Sequence, residues 1–203
     1  MSPRPQANSD AAILDAAARA IARLGILRLT LADVAAELGI SPGTLLHRFG
    51  SKRGLLLALL QRSIGRVEER FTAMRAIYGS PYKTLIGLGD QMARHVKTPA
   101  ALANHLAFLQ VDLADKEYQR LTLTQSRAIR EQIRSLIHEA IAAGELERCD
   151  ADKLARAIQA TMNGSLLQWA IDPQDKLPTW IRANLTTLLR PLSRRRGLLQ
   201  RRP

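Results

Sequence analysis

Apolar residues recur at the spacing of an α-helix along almost the whole chain, and this periodicity predicts an all-α protein. A stripe between Ile13 and Leu24 predicts a first helix that ends at Gly25. Two short helices follow it between residues 30 and 50. No segment has the alternating polar and apolar residues of a convincing strand, so we expect about nine helices and no sheet.

Six longer helices are predicted downstream, where glycine, proline and capping side chains mark the ends of the apolar stripes. The first is expected to run without a break from Lys52 to about Arg75. Asp115 and Asp150 are the expected N-caps of the two longest of the others. Together these other five are expected at about residues 81–97, 98–113, 116–143, 151–171 and 178–192.

The stretch of residues 30–52 predicts two short helices that are joined by a tight turn. Thr30 is a favourable N-cap for the first helix, and Gly39 ends it because glycine adopts the left-handed conformation at little cost. Ser41 caps the second helix, and Pro42 occupies its first position. Such a pair forms a helix-turn-helix, whose second helix enters the major groove of DNA. The outward face of this second helix carries Thr44, Leu46, His47 and Arg48.

This stretch resembles the helix-turn-helix of the TetR family of one-component bacterial transcription regulators. Residues that match the family pattern are Thr30, Ala35, Gly39, Ile40, Ser41, Gly43, Thr44, Leu45, Phe49, Ser51, Lys52 and Leu55. The chain departs from the pattern at Leu46, where the family has Tyr, and at Arg48, where it has His. Arg48 could replace the phosphate contact that the tyrosine usually makes. The predicted contacts to double-stranded DNA are Thr30, Ser41, Gly43, Thr44, Leu46, His47, Arg48 and Lys52.

The resemblance also implies how the rest of the chain is organised. It implies a three-helix DNA-binding domain at residues 1–52 and a larger helical effector-binding and dimerisation domain at residues 53–203. In the family the two terminal helices pair with their copies, which implies a homodimer interface at Leu154, Ile158, Leu166, Trp169, Ile181, Leu185, Leu188 and Leu189. The implied effector pocket has Met92, His95, Phe108, Tyr118, Gln125, Met162, Asn163 and Trp169 as candidate walls. This set would suit a small, largely apolar molecule.

Charge agrees with a nucleic-acid partner, because the formal net charge is +12 and basic surfaces attract polyanions. Five arginines lie in the tail 193–203, which we interpret as a solvated end. The alternative is that this tail contacts phosphate groups or a membrane surface. Cys149 is the one cysteine, so no disulfide can form within the chain. The chain has neither an apolar run of membrane-spanning length nor the core of a signal peptide, which predicts a soluble cytoplasmic protein.

Motifs for catalysis and cofactors are not apparent in the sequence. The four histidines, His47, His95, His105 and His138, do not have the spacing of a zinc site. No nucleophile elbow and no phosphate-binding glycine loop occurs, so we predict neither an enzyme nor a bound cofactor. The leading interpretation is a ligand-responsive repressor that binds a palindromic operator as a homodimer. The alternatives are a basic architectural protein that coats DNA without sequence preference, and a helical enzyme or interaction domain.

Overall fold

The computed structural model describes residues 9–93, Leu102 and residues 115–194. In these ranges nine α-helices form nearly all of the regular structure, beside one 3₁₀ turn at Arg190–Leu192 and an isolated bridge between Leu146 and Ser193. The helices are α1 (Asp10–Leu24), α2 (Leu31–Leu38), α3 (Pro42–Phe49), α4 (Lys52–Gly65), α5 (Val67–Tyr78), α6 (Pro81–Ala93), α7 (Lys116–Ala142), α8 (Ala151–Ile171) and α9 (Leu177–Leu189). The all-α prediction is confirmed for these ranges.

The helix starts agree closely with the expected caps. The Asp115 side chain accepts the amide hydrogen of Glu117 at 2.9 Å at the start of α7. The Asp150 side chain accepts the amide hydrogen of Lys153 at 2.9 Å at the start of α8. The helix expected to begin at Thr98 lies outside the described residues, except for Leu102. The tail beyond residue 194 lies outside them too.

One predicted helix is wrong, because the segment from Lys52 to Arg75 is divided at Arg66. Arg66 ends α4 with φ −100° and ψ 6°, directly after Gly65, which is a weak helix former. The apolar side chains on the two sides of the break serve different cores. Leu55 of α4 is buried in one cluster with Ile13 and Leu45, which we call the N-terminal core. Phe71 of α5 is buried in the second of the two compact units that the chain forms.

The chain forms two compact units, and the first is wider than the expected DNA-binding domain of residues 1–52. Its described part comprises residues 9–66, Leu102 and residues 115–125. The reason is a shared core, in which Tyr118 and Leu121 at the start of α7 are buried in one cluster with Ile13 and Leu45. The helix-turn-helix is therefore supported by α1, by α4 and by the first turns of α7.

The second compact unit contains residues 67–93 and 126–194 of the described chain. Helix α9 packs against both α6 and α8, and α5 packs against α6. The two glycines of α6 permit this close approach. A Cβ atom on Gly89 would lie 2.6 Å from Cγ2 of Ile181, and one on Gly87 would lie 2.2 Å from the Tyr78 ring. A glycine in a helix either weakens it or lets a neighbour come close, and the structure shows the close approach at both positions.

Candidate nucleic-acid interface

Two capped helices build the helix-turn-helix, and each cap uses the residue predicted from the sequence. The Thr30 hydroxyl accepts the amide hydrogen of Asp33 at 3.2 Å, and the Asp33 carboxylate accepts the amide hydrogen of Thr30 at 2.8 Å. The hydrogen bonds that Thr30 donates lower the pKa of Asp33. Gly39 ends α2 in the left-handed conformation, with φ 65° and ψ 31°. The chain can therefore turn sharply into α3.

Helix α3 presents the face that the sequence predicted. Leu45 is fully buried, Phe49 is half-buried, and His47 is exposed. Leu46 is 55% exposed, which is a large apolar area to leave in contact with water. Thr44 is half-buried, and its hydroxyl lies 3.0 Å from the Ser41 hydroxyl. Gly43 and Ser41 are exposed beside it at the start of the helix.

Arg48 contacts another side chain on the same surface. Its Nη1 donates to the Asp10 carboxylate at 3.1 Å, so α1 holds this arginine in the absence of DNA. Asp10 is 70% exposed, and such exposed ion pairs are weak. The sequence did not indicate this partner, because the two residues lie 38 positions apart.

Lys52 lies at the first position of α4, beside the loop between α1 and α2. Its Nζ donates to the carbonyl oxygen of Leu27 at 3.2 Å, and partial burial lowers its pKa, which the Asp33 carboxylate opposes. Ile26 and Leu29 of that loop are buried, whereas Leu27 between them is exposed. The run of apolar residues in this loop does not by itself indicate which of them is exposed.

The candidate effector residues are not brought together in one unit. Tyr118 and Gln125 belong to the first unit, where their side chains bond to the Arg53 carbonyl and the Ser63 hydroxyl. The candidates in the second unit have different surroundings. Met162 is buried, Met92 is half-buried, Asn163 is exposed, and the Trp169 indole donates to the Asp175 carbonyl at 2.6 Å. His95 and Phe108 lie outside the described residues.

The residues expected at a dimer interface lie mainly inside the single chain. Seven of them are buried there: Leu154, Ile158, Leu166, Trp169, Ile181, Leu185 and Leu189. The eighth, Leu188, is half-buried. Those on α9 are buried because α9 packs against both α6 and α8, as at Ile181, which lies against Gly89. The interface at these residues stays a prediction.

Other chemical groups of the described chain give little indication of a reaction. Burial and the neighbouring Asp150 raise the pKa of the Cys149 thiol, which keeps it protonated and a poor nucleophile. No cluster of histidine, cysteine, aspartate or glutamate in the described ranges could hold a metal ion. Among the described helices, none combines the length and apolar character needed to cross a bilayer.

Comparison with known proteins agrees with this geometry. The family model "Bacterial regulatory proteins, tetR family" matches residues 13–59. The family model "BetI-type transcriptional repressor, C-terminal" matches residues 88–194, which is more than half of the chain.

Individual relatives are similar over most of their length. HTH-type transcriptional regulator BetI of Rhizobium meliloti is 26% identical over 166 residues, which cover 79% of this chain and 77% of the relative. HTH-type transcriptional regulator TtgR of Pseudomonas putida is 25% identical over 173 residues, which cover 80% of each chain. A TetR transcription regulator from Haloarcula marismortui shares the fold with a TM-score of 0.74 and 16% identity, over 91% of this chain and 98% of that one. This chain belongs to the TetR family and is a DNA-binding transcriptional regulator.

Proposed function

We propose that this regulator is a repressor that binds a palindromic operator as a homodimer and releases it when a small effector binds. The main support is the outward face of α3, where Thr44, Leu46 and His47 lie on a helix that is capped at its start and packed through Leu45. The similarity of residues 88–194 to BetI-type repressors supports the direction of regulation.

The side chains of this surface have distinct proposed roles. Thr44 and His47 can hydrogen-bond to base edges, and the exposed Leu46 can contact a thymine methyl group. Lys52 and Thr30 lie at the starts of α4 and α2, where the amide groups of a helix N-terminus favour a phosphate. Arg48 can exchange its exposed carboxylate partner for a phosphate.

Selection from a random duplex library is expected to yield one palindromic sequence. Its half-sites should be centred about one DNA turn apart, ~34–36 Å, because a two-fold dimer presents two copies of α3. The selected duplex and a scrambled duplex are then titrated at one salt concentration, and the selected one should bind at least ~10³-fold more tightly. Equal affinity for both duplexes would support the architectural alternative and contradict the repressor.

The dimer face that we propose is the outer side of α8. Gly164 is open, since a Cβ atom there would meet no atom within 4 Å, and Leu167 and Ile171 are 47% and 79% exposed. Together with the exposed Ala160 these residues follow each other at helical spacing. Small and apolar residues on one open stripe allow a second helix to approach closely.

Leu167→Glu is expected to convert the dimer to monomers, because it places a charge in the centre of an apolar contact. Leu123→Glu on α7 is the matched control, since Leu123 is also 47% exposed. Sedimentation velocity gives the mass of each variant, and circular dichroism checks that both remain helical. A dimeric Leu167→Glu variant would place the interface elsewhere.

Effector binding is proposed for the second compact unit. Its described candidates are Met92 on α6 and Met162, Asn163 and Trp169 on α8, and such a largely apolar set suits a small, largely apolar molecule. A ligand can release DNA only if it binds more tightly to a conformation with low operator affinity.

A further inference from the structure

Arg53, next to the proposed phosphate contact Lys52, binds two carboxylates of the same chain. Its Nε and Nη2 donate to the two oxygens of Asp115 at 2.7 and 2.9 Å, and Nη2 also donates to Glu117 at 2.8 Å. Such a two-point contact fixes the orientation of the guanidinium as well as its distance. The bond from Arg53 lowers the pKa of Asp115 to about 2, so the pair stays ionised near neutral pH.

Tyr118 holds the same residue from a second side. Its hydroxyl donates to the backbone carbonyl of Arg53 at 3.1 Å, and the Arg53 guanidinium carbon lies 5.9 Å from the centre of its ring. Tyr118 itself is buried in the N-terminal core. We call Arg53, Asp115, Glu117 and Tyr118 the Arg53 clamp. It binds both the backbone and the side chain of Arg53 to the start of α7.

The first turn of α4 is in turn tightly packed against the end of α3. A Cβ atom on Gly54 would lie 1.9 Å from the carbonyl oxygen of Phe49, the last residue of α3. The Ser51 hydroxyl accepts the amide hydrogen of Gly54 at 3.0 Å, which fixes the short connection between these helices. With so little space, the first turn of α4 cannot move toward α3 without displacing it.

We propose that the Arg53 clamp positions the recognition helix α3 for operator binding, and that Arg53 is not a phosphate contact. The start of α7 holds Arg53 in the first turn of α4, and that turn packs against Phe49 at the end of α3. Arg53 is thus a positioning residue, which acts on DNA through α3. The proposal rests on the proposed operator-binding function.

The test compares Arg53→Gln with Lys52→Gln, because the two adjacent substitutions each remove one positive charge. Binding of the full chain to the selected duplex and to its scrambled form is measured over a series of salt concentrations. For Arg53→Gln we expect about tenfold weaker binding to the selected duplex, with nearly unchanged scrambled-duplex binding and salt slope. For Lys52→Gln we expect weaker binding to both duplexes and a salt slope smaller by about one unit.

Two further variants separate geometry from charge and from folding. Arg53→Lys keeps the charge but loses the two-point contact, so it should resemble Arg53→Gln. Tyr118→Phe removes only the hydroxyl that binds the Arg53 carbonyl, and it should weaken selected-duplex binding several-fold without changing the salt slope. This variant tests the clamp even if Arg53→Gln does not fold.

The outcomes that would overturn the proposal are distinct. A salt slope reduced by about one unit in Arg53→Gln, together with full recovery in Arg53→Lys, would make Arg53 a phosphate contact. Unchanged operator binding in Tyr118→Phe and Arg53→Lys would also contradict the clamp. If the parent protein selects no preferred duplex, operator recognition itself fails, which is a different result from failure of the clamp.

Discussion

Replacing Thr44 and His47 together by alanine is expected to remove most of the preference for the operator over scrambled DNA. Both side chains lie on the outward face of α3, and each can contact a base edge. Each lost base contact should weaken operator binding by ~1–3 kcal/mol, while non-specific binding through phosphates remains nearly intact. Titration of both duplexes at one salt concentration measures the two losses separately.

The double variant should remain folded. The Ser41 hydroxyl accepts the amide hydrogen of residue 44 at 3.2 Å, and this backbone bond does not need the Thr44 hydroxyl. His47 is exposed, and substitutions at exposed positions usually change the free energy of unfolding by less than about 0.5 kcal/mol. Thr44 is half-buried, and its replacement by alanine removes only a hydroxyl and a methyl group. Thr124→Ala with His138→Ala is the matched control, because both residues are exposed on α7. Equal losses on operator and scrambled DNA would limit α3 to positioning on the phosphate backbone.

Replacing Gly54 by alanine is expected to destabilise the helix-turn-helix and to abolish operator binding. The new Cβ atom would lie 1.9 Å from the Phe49 carbonyl oxygen, and a backbone atom cannot move away as a flexible side chain can. Added atoms in tightly packed sites typically cost about 1–3 kcal/mol, and the displaced element here is the recognition helix. Thermal unfolding and operator titration measure the two effects.

Gly65→Ala is the control for this substitution. Gly65 lies in the same helix, and a Cβ atom there would meet nothing within 4 Å. Alanine should therefore be neutral or should stabilise the protein by roughly 0.5–1 kcal/mol, because it reduces the entropy of the unfolded chain. A Gly54→Ala variant with the melting temperature and operator affinity of the parent would show that α3 and α4 can separate at no cost. It would also contradict the part of the clamp proposal in which the first turn of α4 positions α3.

Local signals predicted the helix-turn-helix well. Thr30, Gly39, Ser41 and Pro42 act through bonds or backbone preferences that extend over at most three or four residues. The same holds for Asp115 and Asp150, which cap the two longest of the described helices. These interactions are already present in a short segment, so the positions of helix starts can be inferred without knowledge of the fold.

The sequence was a poorer guide to which element covers the apolar stripe of each helix. The apolar residues between Lys52 and Arg75 have one continuous period, yet the chain breaks at Arg66 because the two halves serve different cores. Periodicity shows that a stripe will be covered, but it does not show what covers it. The apolar stripe with Ile181 and Leu185 is equally compatible with a partner chain, whereas α6 and α8 of the same chain bury both residues.

The sequence by itself determined the helical class, the family and the helix-turn-helix, because each depends on spacing within about twenty residues. Only the tertiary structure decided which partners the charged groups have within the chain. Lys52 and Arg53 are adjacent cations in the sequence, but Arg53 is bound by carboxylates 62 and 64 residues away. The fold brings these groups within hydrogen-bond distance through burial of Tyr118 beside them, and charge spacing along the chain carries no trace of that packing.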